Sequence, residues 1–368
     1  MFIIIFGCII LVALYVLYQT YPPFGSKTPI STKQKSPNFV NGKFVNQIPT
    51  SMTMSFRDGI SIVRDQLRRN PARKPPQPLI PQHPHLSEAT DTTQAQITWF
   101  GHSAFLLQLS GRTILLDPML GKSASPFPAV GPQRFSHELP VEIHDMPHID
   151  MVVISHDHYD HLDYDSIKKL AGKTDMFFVP LGLAAHLQKW GVAANHITEL
   201  DWWQELVYKD TTVTCTPSRH FSGRTLTDRF ATLWASWVIR TDHTSVFFSG
   251  DTGYGPHFKE IGDKYGSFDL TLLECGQYDP RWSTIHMTPE QTAQAHQDLK
   301  GKRMIPMHWG AFMLALHAWT DPVERVLAAG AKNNAIIITP QIGEVVDFKS
   351  DTYPTKTWWR DDTSSNSN

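Results

Sequence analysis

Residues His156-Asp157-His158-Tyr159-Asp160-His161 follow the spacing His-x-His-x-Asp-His, which packs three imidazoles and an acceptor carboxylate into one loop. Imidazole nitrogen and carboxylate oxygen are borderline-to-hard donors that suit zinc, iron or manganese, and no thiolate is present to close a purely structural site. Met151-Val152-Val153-Ile154-Ser155 runs straight into the loop, as a buried strand delivering ligands to a sheet rim would. Three further segments repeat that layout. Thr212-Val213-Thr214-Cys215-Thr216 leads to His220, Ser245-Val246-Phe247-Phe248-Ser249 to Asp251, and Arg303-Met304-Ile305-Pro306-Met307 to His308. Each apolar run stops near glycine or proline, the residues that punctuate turns. Four strand ends can thus converge five histidines and two aspartates. Seven protein ligands exceed one tetrahedral site and fit two metals sharing a bridge.

The elements that must position these residues are legible from residue 94 onward. Gln96–Phe100, Ala104–Leu109 and Thr113–Asp117 read as successive strands, and Ala335–Thr339 and Glu344–Phe348 as closing strands. Helices are expected over Ile167–Leu170, Leu183–Trp190, Pro289–Leu299 and Pro322–Ala329, with Pro289 and Pro322 in first turns. Strands in runs mixed with helices imply sheets covered by helices, an α+β class.

The ligand spacing, together with Trp99-Phe100-Gly101-His102-Ser103, Leu116-Asp117-Pro118, Gly223-Arg224-Thr225-Leu226, Ser249-Gly250-Asp251-Thr252-Gly253, Tyr278-Asp279-Pro280-Arg281-Trp282 and His308-Trp309-Gly310, resembles the metallo-β-lactamase superfamily. Within it the chain is similar to N-acylphosphatidylethanolamine phospholipase D and its bacterial relatives, over roughly residues 50–348. The resemblance implies an αββα four-layer sandwich with metals at one edge. It also implies that His156, His158 and His220 hold one Zn2+, that Asp160, His161 and His308 hold the second, and that Asp251 bridges, although other divalent metals suit such donors. A pair of cations activates water at neutral pH and accepts phosphoryl oxygens. The implied activity is hydrolysis of N-acylphosphatidylethanolamine to phosphatidic acid and an N-acylethanolamine, with Asp160, Asp251 and His286 as catalytic residues. The alternative is another hydrolase on the same fold, acting on a lactone, thioester, cyclic phosphate or other lipid headgroup.

Softer assignments surround the site. His286 either stabilises a phosphate oxygen, protonates the leaving group or is structural. Asp117 is placed to orient a ligand histidine, His102 reads as a hydrogen-bonded core histidine, and Arg281 and Trp282 either flank the substrate entrance or pack their own loop. Trp202, Trp203, Trp234 and Trp237 read as packing residues. A net charge of −2 gives no basic field, so nucleic acid is not an expected partner, whereas a phospholipid and a membrane are. Three cysteines make no disulfide framework; Cys215 and Cys275 read as small apolar residues.

The expected organisation is a transmembrane anchor over 1–24, a linker over 25–93, a catalytic domain over 94–350 and a flexible tail over 351–368. Phe2 to Tyr18 carries no charge and just reaches the length of a membrane span, without a basic leader or a good cleavage site. Lys27, Lys33 and Lys35 follow it, so the positive-inside bias favours a cytoplasmic catalytic domain. In the linker, residues 25–50 look mobile and Pro71, Pro75, Pro76, Pro78, Pro81 and Pro84 predict an extended strap. Between them Phe56, Ile60, Val63 and Leu67 recur at helical spacing, decorated by Arg57, Arg64, Arg68 and Arg69. That helix either packs on the core or contacts anionic headgroups.

Overall fold

The computed structural model describes residues 6, 12, 15–26, 35–51, 56–68 and 70–361. A short hairpin, β1 (Phe39–Val40) and β2 (Lys43–Phe44), and a helix, α1 (Phe56–Leu67), precede the catalytic domain. The first sheet then opens with β3 (Ala95–Trp99), β4 (Phe105–Leu109) and β5 (Arg112–Leu116), paired antiparallel. It continues in parallel through β6 (Ile149–Val153), β7 (Thr174–Pro180) and β8 (Ile197–Leu200). The second sheet is antiparallel from β9 (Glu205–Tyr208) through β10 (Thr211–Thr216) and β11 (Ser236–Arg240) to β12 (Ser245–Phe248). Parallel β13 (Phe268–Glu274), β14 (Gly301–Met307) and β15 (Ile336–Ile337) complete it, and β16 (Val345–Asp347) returns to pair with β3.

Period-2 alternation sorts the side chains between layers. Leu107, Ile114 and Val153 join Val213, Trp237 and Phe247 in the core between the sheets. Their neighbours Leu106, Leu115 and Val152 face the other way, onto Ile167, Leu170 and Leu187. Those last three belong to α2 (Tyr164–Leu170) and α3 (Ala184–Lys189). The second sheet is covered by α4 (His257–Tyr265), α5 (Pro289–Asp298) and α6 (Asp321–Lys332), through Phe258, Ala295 and Val326. The four-layer sandwich is as expected. Two details are sharper than the sequence implied: α2 starts at Tyr164 because Asp163 caps it, accepting from the Ser166 N–H at 2.9 Å, and α5 carries a Thr288–Gln291 capping box above Pro289.

Three expectations are corrected. Among the described residues no helix is long and apolar enough to cross a membrane, so the single-pass anchor, and the cytoplasmic orientation drawn from it, do not stand. Residues 1–5, 7–11, 13 and 14, on which much of that span lay, are outside the described residues. The part that is described is helical over residues 15–20 and is then fastened to protein. The Tyr18 hydroxyl bonds Thr225 at 3.1 Å, and the Pro22 and Gly25 carbonyls accept from Trp190 Nε1 at 2.8 Å and Lys189 Nζ at 2.6 Å. A count of charges passes over the tyrosine hydroxyl, which seeks a polar partner where the ring packs against protein.

The second correction concerns the expected mobile linker. Residues 27–34 lie outside the described residues, but residues 35–51 pack against the catalytic domain, with Phe44 buried in the central core. The proline-rich strap opens with a 3-10 helix at Pro71–Arg73, capped by the Asn70 side chain, where an extended course was expected. Beyond it the chain is pinned by Leu79 N–H to the Phe135 carbonyl at 3.0 Å and Gln82 N–H to the Ile342 carbonyl at 2.8 Å. The third concerns the flexible tail. Trp358 and Trp359, the latter fully buried, open a last short helix, α7 (Trp358–Asp361), and Trp358 stacks on Trp309 with centroids 5.5 Å apart. Two tryptophans bury enough apolar surface to hold a chain end whose polar composition otherwise suggests fraying. Residues 362–368 are outside the described residues.

Candidate metal centre

Every expected ligand follows the end of a strand, and all seven meet at one edge of the sandwich. The loop after β6 supplies His156, His158, Asp160 and His161, while β10, β12 and β14 lead to His220, Asp251 and His308. Their donor atoms gather into two groups. His156, His158, His220 and Asp251 form one, and Asp160, His161 and His308, joined by His102, form the other. Asp251 stands between them. Its Oδ2 faces His156 and His220 Nε2 at 3.8 and 3.7 Å, while its Oδ1 faces His161 Nε2 and His308 Nδ1 at 3.2 and 3.1 Å.

The donor set fits cations. His161 Nε2 and Asp251 Oδ1 are fully buried and have no hydrogen-bond partner. Burying such lone pairs against one another is costly unless a positive charge sits between them. Burial lowers the pKa of His158 to about 4 and depresses His156, His220 and His308 further, which keeps these imidazoles neutral with a lone pair to donate. For His161 burial works in the same direction, but the neighbouring carboxylates of Asp251, Asp160 and Asp117 outweigh it and raise its pKa.

Behind the donors lies a shell of orienting contacts. Asp117 Oδ2 holds His161 Nδ1 at 2.6 Å and takes the Ser155 hydroxyl at 2.5 Å, and that hydroxyl in turn meets His156 Nδ1 at 2.9 Å. One carboxylate therefore fixes imidazoles in both groups, as expected for Asp117. His102 is fully buried, with Nε2 2.9 Å from Asp160 Oδ2, so the expected core histidine also orients a ligand. His102, Asp117 and His308 all hold positive φ (56°, 35° and 69°), a left-handed strain of about 1–3 kcal/mol each that clusters at this site. At Gly250 a Cβ would come within 2.5 Å of the Ser155 Cβ, so glycine is what lets the Asp251 turn approach the loop of the opposite sheet.

His286 lies beside both groups, its ring centroid 5.1 Å from that of His220 and 5.3 Å from that of His308. Its Nδ1 is 2.8 Å from Oε2 of Glu274, a fully buried carboxyl at the end of β13. Glu274 Oε1 accepts the backbone N–H groups of Thr252 and Met287 at 3.1 and 3.0 Å, tying the Asp251 loop to the His286 loop. Above the donors opens a cavity of about 320 Å³, walled by Ile62, Phe221, Trp282 and Leu314 and bordered by Arg229 and Arg281. Arg281 is clamped by Asp279 and Asp65 at 2.6 and 3.1 Å, so it serves both the wall and its own loop. Trp202, Trp234 and Trp237 are buried packing residues and Trp203 is partly buried; Cys215 and Cys275 are buried free thiols.

Two residues escaped the sequence reading. Asn46 pairs with the His220 backbone in both directions, accepting its N–H at 3.1 Å and donating to its carbonyl at 2.9 Å. It lies in the segment whose composition suggested a mobile linker. Glu274 could have been found, because it follows Leu270-Thr271-Leu272-Leu273 as Asp251 and His308 follow their own apolar runs.

An edge of a two-sheet sandwich lined by two histidine–carboxylate groups sharing one aspartate defines the class: a metal-dependent hydrolase with the metallo-β-lactamase fold. The chain belongs to the metallo-β-lactamase superfamily, residues 112–309 matching the Beta-lactamase superfamily domain. It is 43% identical to an uncharacterized protein of Mycobacterium tuberculosis over 337 residues, 90% of this chain and 89% of that one. It is also 35% identical to N-acyl-phosphatidylethanolamine-hydrolyzing phospholipase D 1 of Caenorhabditis elegans over 227 residues, which are 58% of this chain and 64% of that relative. In fold it is similar to Igni18, a metallo hydrolase of Ignicoccus hospitalis, with a TM-score of 0.51 and 22% identity across 69% of this chain and 98% of that structure.

Proposed function

We propose that this chain is a zinc-dependent phosphodiesterase that hydrolyses phospholipids of the N-acylphosphatidylethanolamine type to phosphatidic acid and an N-acylethanolamine. The observation that carries the reading is the Asp251 carboxylate, which turns one oxygen to each donor group beneath a cavity with apolar walls and an arginine border. His156, His158 and His220 would hold one ion and Asp160, His161 and His308 the other, with Asp251 shared between them. When bound, such ions supply Lewis acidity to phosphoryl oxygens and lower the pKa of water from 15.7 toward about 7.

The chain's own residues do the rest. Ile62, Phe221 and Leu314 offer apolar surface to acyl chains, and Arg229 favours an anionic substrate at the cavity border, while Arg281 is held in the wall by Asp279 and Asp65. Because Glu274 engages His286 Nδ1, Nε2 is the nitrogen left to meet a phosphoryl oxygen or the departing alcohol. The relative from Caenorhabditis elegans, named for the same lipid class, supports this choice of substrate.

The test is a lipid panel scored by product. Phosphatidic acid together with N-acylethanolamine is expected. Turnover of lactones, thioesters or cyclic phosphates with none of the lipid diesters cleaved would overturn the proposal in favour of another hydrolase of this fold.

A further inference from the structure

The inner face of α1 closes the cavity: Ile62 lines it, and Ser61 and Asp65 hold the pocket arginine Arg281 at 2.9 and 3.1 Å. The outer face is apolar and bare. Ile60, Val63 and Leu67 stand at i, i+3 and i+7, with Leu67 79% exposed. Arg57, Arg64 and Arg68 flank this stripe and are themselves exposed. The helix carries two carboxylates, Asp58 and Asp65. Asp65 lies within 3.5 Å of Arg64 and 3.7 Å of Arg68 and also reaches Arg281, whose nearer partner is Asp279, so Arg57, Arg64 and Arg68 outnumber the acidic residues beside them. A second exposed apolar point lies beside other residues of the lining. Phe221 and Arg229 line the cavity, and the loop between them carries Leu226 at its tip, 98% exposed. Two segments that line one cavity thus each present bare apolar side chains to solvent, one of them flanked by arginines.

We propose that the outer face of α1, together with Leu226, docks reversibly on an anionic phospholipid surface and sets the cavity mouth against it. An amphipathic helix with an apolar stripe and cationic flanks lies in the headgroup plane, held by apolar burial and by attraction to anionic lipids. The charge selects this occupant over a second copy of the chain, since like arginine clusters would repel across a symmetric contact, whereas anionic headgroups neutralise them. The docking rests on the lipid-hydrolase reading for its purpose, but binding is measurable without turnover.

The test is flotation of the full chain with vesicles of phosphatidylcholine, with and without phosphatidylglycerol. The wild-type protein is expected to float with the anionic vesicles and to be released by salt. Val63→Asp/Leu67→Asp should weaken binding at least tenfold while the melting temperature and cleavage of a soluble chromogenic phosphodiester stay at wild-type levels. Should that pair fail to fold, Arg57→Ser/Arg64→Ser/Arg68→Ser, which leaves the apolar stripe intact, should lose about fivefold per arginine. Wild-type protein that stays with the unbound fraction, or variants that float as the wild type does, would overturn the proposal. A concentration-dependent dimer broken by the same variants would overturn it in favour of a second copy. Vesicle binding without cleavage of any lipid would uphold the docking and count against the lipid-hydrolase reading alone.

Discussion

Asp251→Ala is expected to remove turnover almost completely and to empty both metal positions, because among the seven expected ligands it is the carboxylate that turns one oxygen to each donor group. Removing any other donor strips one group of a single ligand. Removing Asp251 takes an oxygen from each and leaves His156, His161, His220 and His308 facing one another with no shared anion. Buried imidazoles without that negative charge bind divalent cations less well, so the loss should exceed the ~10²–10³-fold typical of deleting one electrostatic contact. Metal analysis and turnover of the same preparation check this. Substantial activity with metal retained would show that the two groups do not depend on a shared carboxylate.

His286→Ala is expected to lower turnover by about 10²–10⁴-fold, the range of a positioned acid or base, while metal content stays at the wild-type level. The geometry separates those two readouts. His286 Nδ1 is taken by Glu274, and the ring lies beside His220 and His308 without being needed to complete either trio. Glu274→Gln should act in the same direction and more weakly. An amide of the same shape can still accept Thr252 and Met287 N–H groups, so the loops stay tied while the grip on Nδ1 weakens. Wild-type turnover in His286→Ala would make this histidine structural, the other role the sequence left open for it.

The parts of the protein legible in the sequence are those set by short-range patterning. Apolar runs that end in a ligand-type side chain located the strands and the seven residues that gather at the sandwich edge. Strands in runs mixed with helices foretold sheets covered by helices, and Leu106 and Leu107 do face opposite layers. What escaped was set by long-range contact. Asn46 reaches His220 across 174 positions of chain, and polar composition in its neighbourhood pointed to mobility. Trp358 is held because Trp309, beside a donor histidine, offers it a ring face. The apolar N-terminus misled for a related reason. Its length met the lower limit for a span, while Tyr18 and the backbone carbonyls of Pro22 and Gly25 find hydrogen-bond partners on the catalytic domain.

The central claim is a hydrolytic centre of two metals bridged by Asp251 and acting on a phosphodiester. Its most direct test is titration of chelated protein with zinc, counting equivalents bound against cleavage of N-acylphosphatidylethanolamine. The account predicts two equivalents per chain, with phosphatidic acid released as the pair fills. Full activity at one equivalent, or two equivalents bound with no phosphatidic acid formed, would contradict it.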